Sequence, residues 1–523
     1  MASSPRGGFG CPFLILKPLP GAVNQFLHLS DTPIAEKSKK RPLKTIASRT
    51  RAIDNQSMAS SYDIRDFGAE SGGGKDCSAA FSAILARIRQ EGSGGIVVPP
   101  GDFLTGPIEL SDNMTLSIAR GATLAFIDDP ERYPPVETRW EGIVCHAMKP
   151  LIFALNARNV AIEGEGVIDG RGQSWWATHK RKKAEGQAGP VTPAEKRLAA
   201  LNGSGTGMPS GGGGRETQFL RPPLVQFLSC DGVSVSGVTL RNSPFWTLHP
   251  VFSSRIHIDN IRIENPSDAP NTDGIDIDSC SDVSIIDSSV DVGDDCIALK
   301  AGSGGQGLAE NRPTRNVTIS GCTFFNGHGG VVIGSETAGG IENVEVVNCR
   351  FLGSDRGIRL KSRRGRGGTV QNLSFRNLVM ENVLAPITIN LYYNCGAGSE
   401  EAARLFSLSS EPVSNLTPRM RNIRIGNLVA SGCRASAGFI VGLPESKIQN
   451  LVLENCLISM AEDSLVPVGR SEMYQGIDET SDRGLRMRNV ECSLNGVTVA
   501  GSKGGGILIE EGCAVIPFKD RSS

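Results

Sequence analysis

The sequence predicts an all-β chain folded as a right-handed parallel β-helix, a solenoid of short strands with a short capping helix at its N-terminal end. Three observations predict this fold. Short β-branched segments recur along the chain, glycine accounts for 63 of the 523 residues, and aromatic residues for only 5%. Abundant glycine with few long helical patterns is typical of short strands joined by tight turns.

Residues 1–57 differ from the rest of the chain. Prolines interrupt their only apolar run, CPFLIL, and a basic, polar stretch follows it. This composition predicts a disordered extension, or a start codon assigned too early. The pattern of a folded chain begins near Tyr62, so residues 58–523 are predicted to form a single β-helix domain.

The segment from Asp76 to Gln90 predicts the capping helix. Asp76 or Ser78 is a suitable N-cap, and the apolar residues fall on or near one helical face. These apolar residues are Ala80, Ile84, Ala86 and Ile88. A helix at this end would cover the unpaired strand edge of the first coil.

A long segment at about 171–220 interrupts the strands. It contains Trp175 and Trp176, the basic run from His179 to Lys183, and the glycine-rich sequence GSGTGMPSGGGG. A connection of this length is usually functional or disordered. It is therefore predicted to be an insertion between coils.

The remainder of the chain repeats itself. Segments of similar pattern begin at Gly232, Arg255, Asp282, Asn316, Asn343, Asn372, Asn422, Asn450 and Asn489. Repeats of this length with short strands are typical of a solenoid, in which each coil buries its apolar face against the next. Stacked Asn side chains at a turn can pair their amides along the axis and tolerate left-handed backbone.

Composition and cysteine usage exclude several functions. The formal net charge of −1 argues against nucleic-acid binding, and no apolar run is long enough to span a membrane. The 13 cysteines include no CxxC pair, which argues against a zinc or redox motif. Five recur in strand-like segments and are predicted to pack in the core: Cys230, Cys280, Cys322, Cys349 and Cys456.

Unpaired cysteines and the lack of a clear signal peptide predict a cytoplasmic protein, with a secreted or cell-wall location as the alternative. The oligomeric state is left open by the sequence.

Three acids fall in two short clusters, Asp273 in NTDG and the pair Asp294 and Asp295 in GDD. His328 in GHG follows about one repeat later, and Arg-Leu-Lys at 359–361 one repeat after that. In a solenoid of this repeat, all four clusters share one face. Carboxylates, an imidazole and two cations are the groups needed to break a glycosidic bond next to a sugar acid.

Three acids placed close together can supply both an acid and a base. A lone Asp is ionised at neutral pH, but closely placed carboxylates cannot all stay ionised, so one becomes an acid. On an ideal strand Asp294 and Asp295 would face opposite ways. Both reach one groove only at a bend, for which Gly293 supplies flexibility.

The cations have a separate predicted role. Arg359 and Lys361 alternate on a strand and face the same side, where they could bind the carboxylate of a sugar acid. Arg363, Arg364 and Arg366 either extend this positive patch or lie in a solvated basic loop.

In these four motifs the chain resembles the polygalacturonases, the pectin-hydrolysing glycoside hydrolase family 28. The context RPPLVQF, NSPFWTLHP and VVIGSE is most similar to the exo-acting, bacterial-type branch. The resemblance implies that Asp294 is the acid, that Asp273 and Asp295 hold and activate the water, and that hydrolysis inverts the anomeric carbon. His328 is expected to set the protonation of an acid. The substrate contacts expected are Asn271, Arg359, Lys361, Trp246, His249 and one of Tyr392 and Tyr393.

The expected function is hydrolysis of α-1,4-galacturonosidic bonds in polygalacturonate or its oligomers, without cofactor or metal. Extra chain at about 171–220 and after Tyr393 predicts a groove closed for exo action. Trp175 and Trp176 either stack on the sugar or seal the solenoid wall.

The alternatives are a pectate-lyase-like or rhamnogalacturonan-type enzyme and a non-catalytic polysaccharide-binding β-helix. Asp276 and Asp278 alternate with Asp273 in a way that suggests calcium, although that ion needs 6–8 oxygen ligands.

Overall fold

The strands form two long parallel sheets and one hairpin. The structure, a computed structural model, describes residues 60–203, 213–502 and 504–517. The predictions for residues 1–57 therefore lie outside the described residues. The hairpin pairs Pro135–Trp140 with Ile143–Met148 in antiparallel fashion.

The larger sheet has 22 strands among the described residues. In chain order they are Ser61–Asp63, Gly94–Val98, Gly101–Thr105, Met114–Ile118, Ala122–Phe126, Arg158–Gly164, Val167–Asp169, Asp231–Ser236, Thr239–Arg241, Ser254–Asp259, Arg262–Glu264, Ser281–Ile286, Ser289–Val292, Thr314–Ser320, Thr323–Asn326, Ile341–Val347, Arg350–Leu352, Thr369–Glu381, Arg419–Cys433, Ile448–Met460, Val490–Ala500 and Ala514–Val515.

The second sheet has 12 strands within the described ranges. They are Ile108–Leu110, Ile152–Leu155, Val225–Leu228, Leu248–Val251, Ile275–Asp278, Asp295–Lys300, Gly329–Gly334, Arg356–Lys361, Ala385–Asn390, Gly438–Val441, Leu485–Arg488 and Ile507–Ile509. We call this the twelve-stranded sheet.

Neighbouring strands of each sheet come from successive coils, and they pair in parallel register. In the twelve-stranded sheet one inward row stacks Ile277, Leu299, Ile333, Leu360 and Ile389, all 0% exposed. Such stacking gives every coil the same apolar floor and makes one continuous core. Parallel crossovers are almost always right-handed. The predicted right-handed parallel β-helix is confirmed.

Asparagine ladders hold the turns of successive coils together. Asn372 donates from Nδ2 to Asn343 Oδ1 at 3.1 Å and accepts from Asn422 Nδ2 at 3.0 Å. A second ladder runs from Asn455 through Asn427 to Asn377. The predicted amide pairing and left-handed backbone are both present, with φ of 58° at Asn372.

Five α-helices lie outside the sheets among the described residues: α1 Ser78–Glu91, α2 Gln173–Ala184, α3 Pro193–Asn202, α4 Gly304–Glu310 and α5 Ala402–Leu405. Shorter 3₁₀ turns occupy Ile64–Phe67, Pro130–Arg132, Arg215–Thr217 and Val468–Ser471. No helix in the described part of the chain is long and apolar enough to cross a membrane.

Helix α1 is the predicted cap of the first coils. It starts two residues later than predicted, and Asp76 accepts a hydrogen bond from the Ser78 N–H at 2.9 Å. Ile84 and Ile88 are buried, but the predicted face is wrong at Ala86, which is exposed, because Leu85 packs inward instead.

The insertion at about 171–220 forms α2 and α3 in its described part. Trp176 donates from Nε1 to the Ser243 carbonyl at 2.9 Å, and Trp175 stacks on Phe219 with ring centroids 5.8 Å apart. Both Trp residues are buried. Of the two roles expected for this pair, sealing the solenoid wall is the one that the structure supports.

The cysteines behave as core residues. Every described cysteine is free, and the five predicted to pack in the core are buried. Each takes a position that a small apolar residue could fill, so these thiols carry no information about a reducing compartment.

Candidate active site

The predicted acids meet in a cleft over the outer face of the twelve-stranded sheet. The cleft has a cavity volume of about 370 Å³, and Asp273, Asp294, Asp295 and His328 line it. One carboxylate oxygen of each of the three acids lies within 4.8 Å of the others. The coil stacking therefore brings residues from two sequence clusters into one carboxylate group.

A bend before the strand Asp295–Lys300 turns both acids of GDD into the cleft, as predicted. The reason for Gly293 differs from the prediction. A Cβ there would lie 2.6 Å from the Ala269 carbonyl oxygen and 2.7 Å from that of Pro266. Gly293 is thus required by close backbone approach, because no side chain fits against the neighbouring loop.

His328 is bonded to Asp294 twice. Its ring Nδ1 lies 3.1 Å from Asp294 Oδ1, and its backbone N–H donates to the Asp294 carbonyl at 2.9 Å. The hydrogen bond and the negative charge of Asp294 raise the pKa of His328 above its usual value. Burial raises the pKa of Asp294, but the bond and charge of His328 outweigh burial and lower that pKa.

Asp295 is surrounded by cations. Lys361 Nζ lies 2.6 Å from one carboxylate oxygen and Arg359 Nη1 3.2 Å from the other. Burial raises the pKa of Asp295, but Lys361 and Arg359 together lower it far below its usual value. Asp295 is therefore ionised at neutral pH.

Arg359 has a second carboxylate partner that the sequence did not indicate. Glu472 accepts from Arg359 Nε at 3.0 Å and from Nη2 at 2.8 Å. The Thr388 hydroxyl also donates to Glu472, at 3.1 Å. Glu472 is 113 residues from Arg359 in an irregular segment without a recognisable motif, so no sequence signal connects the two.

The predicted binding pair is thus already paired with protein acids. Arg359 and Lys361 line the cleft, yet they are only 1% and 6% exposed. Displacing their partners would leave buried carboxylates without a cation, which is costly. In this structure both cations hold Asp295, and their expected contact with a substrate carboxylate stays a prediction.

Lys300 forms a second charged group beneath Asp273. Its Nζ lies 3.3 Å from Glu336 Oε2, 3.5 Å from Asp276 Oδ1 and 4.0 Å from Asp273 Oδ2. Sequence reasoning missed Lys300 and Glu336. A lysine in the otherwise apolar strand CIALK was the signal that could have found it.

Among the three clustered acids, Asp273 is the one whose pKa is raised. Burial and the charges of Asp294 and Asp276 raise the pKa of Asp273 well above its usual value, although Lys300 opposes them. Asp273 therefore keeps a proton to higher pH than Asp294 or Asp295 does, whereas the resemblance implies that Asp294 is the acid.

Of the two ring side chains predicted to contact substrate in SPFWTLHP, one lies in the cleft and one does not. Trp246 lines the cleft, with Lys300 Nζ 4.5 Å from its ring centroid. The prediction for His249 is wrong, because this side chain is buried outside the cleft and its Nδ1 is bonded to Gln226 at 3.0 Å. Burial also lowers the pKa of His249.

Tyr393, and not Tyr392, reaches the cleft. Tyr392 is 0% exposed, and its hydroxyl donates to the Ser407 carbonyl at 3.3 Å. Of the two tyrosines left open by the sequence, Tyr393 is therefore the candidate for substrate contact, and Tyr392 is not. Consecutive residues of an extended chain point to opposite sides, and the sequence alone did not say which side faced the cleft.

Asn271, an expected substrate contact, lines the cleft. Its Oδ1 accepts from Arg221 Nη2 at 2.7 Å, and Arg221 also donates to the carbonyls of Pro244 and Pro270 at 2.9 Å each. Arg221 thereby fixes the backbone that leads into Asp273.

Both expectations for the three arginines after Lys361 are wrong, because all three are buried. Arg364 pairs with Glu445 at 2.6 Å, Arg366 with Glu336 at 3.4 Å, and Arg363 donates to the Gly396 carbonyl at 2.7 Å. They are neither an open positive patch nor a solvated loop.

Two further groups of residues line the cleft. One is Glu141 of the hairpin with His179 and Lys183 of α2. The other is Tyr393, Cys395 and Met473. The chain inserted at both predicted positions thus contributes to the walls.

The three carboxylates could also offer one oxygen each to a cation. Calcium requires 6–8 oxygen ligands. Here Lys361 lies 2.6 Å from Asp295, and Asp276 and Asp278 are occupied by Lys300 and Arg139. This donor set fits proton transfer better than metal binding.

Comparison with known proteins identifies the family of this chain. The family model of glycosyl hydrolases family 28 matches residues 196–424. An endo-polygalacturonase of Pectobacterium carotovorum is 32% identical over 345 residues, 62% of this chain and 75% of that protein. The crystal structure of a hyperthermoactive exopolygalacturonase from Thermotoga maritima superimposes with a TM-score of 0.67 and 31% identity, covering 86% of this chain and 95% of that one.

The chain belongs to glycosyl hydrolase family 28. This family 28 protein is accordingly a glycosidase of the polygalacturonase family. A probable polygalacturonase of Vitis vinifera is 28% identical over 413 residues, 77% of this chain and 75% of that protein.

The prediction of a cytoplasmic location is wrong. The family 28 protein matches polygalacturonases of grapevine, Arabidopsis and apple. Polygalacturonate in plants is a cell-wall polymer, which an enzyme meets outside the cytoplasm. The inference failed because buried cysteines were taken as a sign of a reducing compartment.

Proposed function

We propose that this family 28 enzyme is an exo-acting, inverting hydrolase of α-1,4-galacturonosidic bonds in polygalacturonate or its oligomers. The observation that carries the proposal is the group of three carboxylates, with His328 bonded to one of them, inside a cleft that inserted chain helps to line. Hydrolysis of a glycoside needs an acid and a base at one bond, and this group offers both.

Asp294 is the proposed acid. It is the most exposed of the three, with 21% of its side chain accessible, and it shares a hydrogen-bonded proton with His328. A sugar that covers Asp294 removes water from it, which raises the pKa of a carboxyl group. The shared proton then moves from His328 to Asp294 and is available for the leaving oxygen.

Asp273 and Asp295 are proposed to hold the attacking water between them. As the water oxygen bonds to the anomeric carbon, one of its protons passes to this pair. Before the attack, Asp273 releases to solvent the proton that its raised pKa retains. Once ionised it is the stronger base of the two, because its pKa is the higher. Lys361 and Arg359 keep Asp295 ionised so that it can orient the water.

Inversion is supported by the state of Asp295. Oxygen separations within 4.8 Å resemble the spacing of retaining enzymes, where one carboxylate is about 5–5.5 Å from the other and attacks carbon. Asp295 is a poor nucleophile, however, because two cations hold it and depress its pKa. Proton NMR of the first product formed tests this: the β-anomer is expected, and the α-anomer would exclude inversion.

The chain segments that wall the cleft support exo action. An endo enzyme needs a groove open at both ends, whereas α2, the hairpin and the segments of Tyr393 and Met473 all contribute walls to this cleft. Chromatography of a polygalacturonate digest should give only the shortest product from the first time point. A ladder of long oligomers would exclude exo action.

A calcium-dependent lyase is the competing function for a β-helix that acts on pectin. The carboxylate and His328 geometry supports hydrolysis over proton abstraction. Polygalacturonate digested with and without EDTA should lose mass equally and develop no ultraviolet absorbance of an unsaturated uronate. Absorbance that EDTA abolishes would identify a lyase.

A further inference from the structure

The cations predicted to bind an acidic substrate, Arg359 and Lys361, are already paired with carboxylates of the protein. The cationic side chains that line it, among the described residues, are Lys183, Lys300, Arg359 and Lys361. Lys300 is paired with Glu336 at 3.3 Å. Arg359 is paired with Glu472 at 2.8 Å and Lys361 with Asp295 at 2.6 Å. Three of the four cations are thus neutralised by buried carboxylates.

Lys183 differs from these three. It is exposed, and it forms no ion pair with any residue in the described parts of the chain. Its neighbours on α2 are already engaged: Lys182 is buried against Glu195 at 2.6 Å, and Lys180 pairs with Asp268 at 2.7 Å.

The helix geometry directs Lys183 into the cleft. His179 and Lys183 are four residues apart, which places them on one face of α2, and both line the cleft. Burial lowers the pKa of His179 to about 3, so the imidazole is neutral there. Lys183 supplies the positive charge at this end.

Lys183 also borders a second cavity. This cavity of about 380 Å³ lies between α2 and the segment Gly214 to Thr217, and His179 and Lys183 line both spaces. The ammonium group therefore stands where a sugar at the α2 end of the cleft would present its substituents.

We propose that Lys183 binds the carboxylate of the galacturonate ring at the α2 end of the cleft and selects for charged over esterified substrate. The assignment rests on the proposed function, because only an acidic sugar gives Lys183 a partner. A lysine ammonium is a compact point charge with three donors, suited to a carboxylate that approaches from solvent. Recognition would then come from the insertion, while Arg359 and Lys361 serve the catalytic acids.

The test measures binding without turnover, by titration calorimetry in the Asp294→Asn background. Each of Lys183→Gln, Lys183→Arg and Arg181→Gln is added to this background, and each protein is titrated with trigalacturonate and with fully methyl-esterified trigalacturonate. Arg181→Gln is the matched control, since Arg181 is an exposed cation on the same helix that does not line the cleft.

Lys183→Gln should raise the Kd of trigalacturonate roughly 10- to 100-fold, the effect of one hydrogen bond to a charged group. The Kd of the ester should stay the same. Lys183→Arg should restore most of the affinity, and Arg181→Gln should bind as the parent does.

Two results would overturn the proposal. One is an unchanged Kd for trigalacturonate in Lys183→Gln, and the other is an equal loss for both substrates, which would indicate altered shape and not lost charge. Both leave the proposed function intact as long as the unsubstituted enzyme hydrolyses trigalacturonate. Failure of that hydrolysis would instead remove the proposed function and this assignment together.

Discussion

At the scale of single residues, the behaviour of the site depends on which carboxyl group carries the proton. Asp273 has the raised pKa in the free enzyme, while Asp294 is held ionised by His328. The proposed mechanism needs the proton on Asp294 when substrate is bound. The two states therefore differ in where the protons lie, and variants of Asp273 and of Asp294 test the two positions separately.

The acid role predicts a dependence on the leaving group. Asp294→Asn should lower kcat on trigalacturonate by roughly 10²–10⁴-fold, the usual contribution of a general acid. The same variant should lose much less on p-nitrophenyl α-galacturonide, because nitrophenolate leaves without protonation. Asp273→Asn, which affects the attacking water, should lose activity on both substrates. Equal losses in Asp294→Asn on both would contradict the assignment, and steady-state kinetics measures each.

The pair of Asp294 and His328 predicts the basic limb of the pH profile. Asp294 raises the pKa of His328 above its usual 6.5, so the shared proton is retained below that raised pKa and lost as pH rises through it. His328→Gln should therefore move the basic limb of kcat/KM to lower pH. His257→Gln is the control, because His257 is an exposed histidine on an outer strand, bonded to Ser284. An unmoved basic limb in His328→Gln would exclude the shared proton.

At the scale of the elements, the asparagine ladders connect sequence to stability. Asn372 makes two ladder bonds and has φ of 58°, a conformation that costs an L-residue such as Ala about 1–2 kcal/mol. Asn372→Gly should lower the free energy of unfolding by about 1–2 kcal/mol through the two lost bonds, with the backbone unstrained. Asn372→Ala should lower it by about 1 kcal/mol more. Urea unfolding of both variants measures the difference, and equal values would exclude the backbone contribution.

The sequence predicted the arrangement of strands and side chains wherever the length of the repeat determined which residues stack on each other. The apolar rows, the ladders and the meeting of Asp273, Asp294 and Asp295 all follow from stacking coils of similar length. Glu472 and Lys300 could not be predicted in the same way. Glu472 reaches Arg359 from an irregular segment, and irregular chain has no period from which a register can be read. The sequence could not decide between Tyr392 and Tyr393 for the same reason, since both residues lie where the repeat ends.

At the scale of the whole molecule, buried ion pairs make stability depend on pH. Glu336 and Glu472 would have raised pKa values from burial, but Lys300 and Arg359 lower them to about 2 from 4.5. A lowered carboxyl pKa contributes stability that is present above pH 4.5 and lost as pH falls toward 2. Asp273 and Asp276 have raised pKa values and act in the opposite direction.

The urea midpoint of the enzyme should accordingly fall as pH is lowered from 4.5 to 2. Glu472→Gln removes one of the two lowered carboxyls, so its midpoint should be lower at neutral pH and should fall less steeply. Glu381→Gln is the control, because Glu381 forms an exposed pair with Arg350 at 3.4 Å and should behave as the parent. A midpoint that rises over this interval would contradict the sign of the pKa shifts.

The buried cysteines of the different coils can report the order in which the solenoid unfolds. Cys230, Cys280, Cys322, Cys349 and Cys456 belong to different coils, and each thiol is covered by the neighbouring coils while the solenoid is intact. An alkylating reagent reaches a given thiol only after its own coil separates from the stack. The order in which the five sites become labelled therefore records where along its length the solenoid first opens and in which direction the opening spreads.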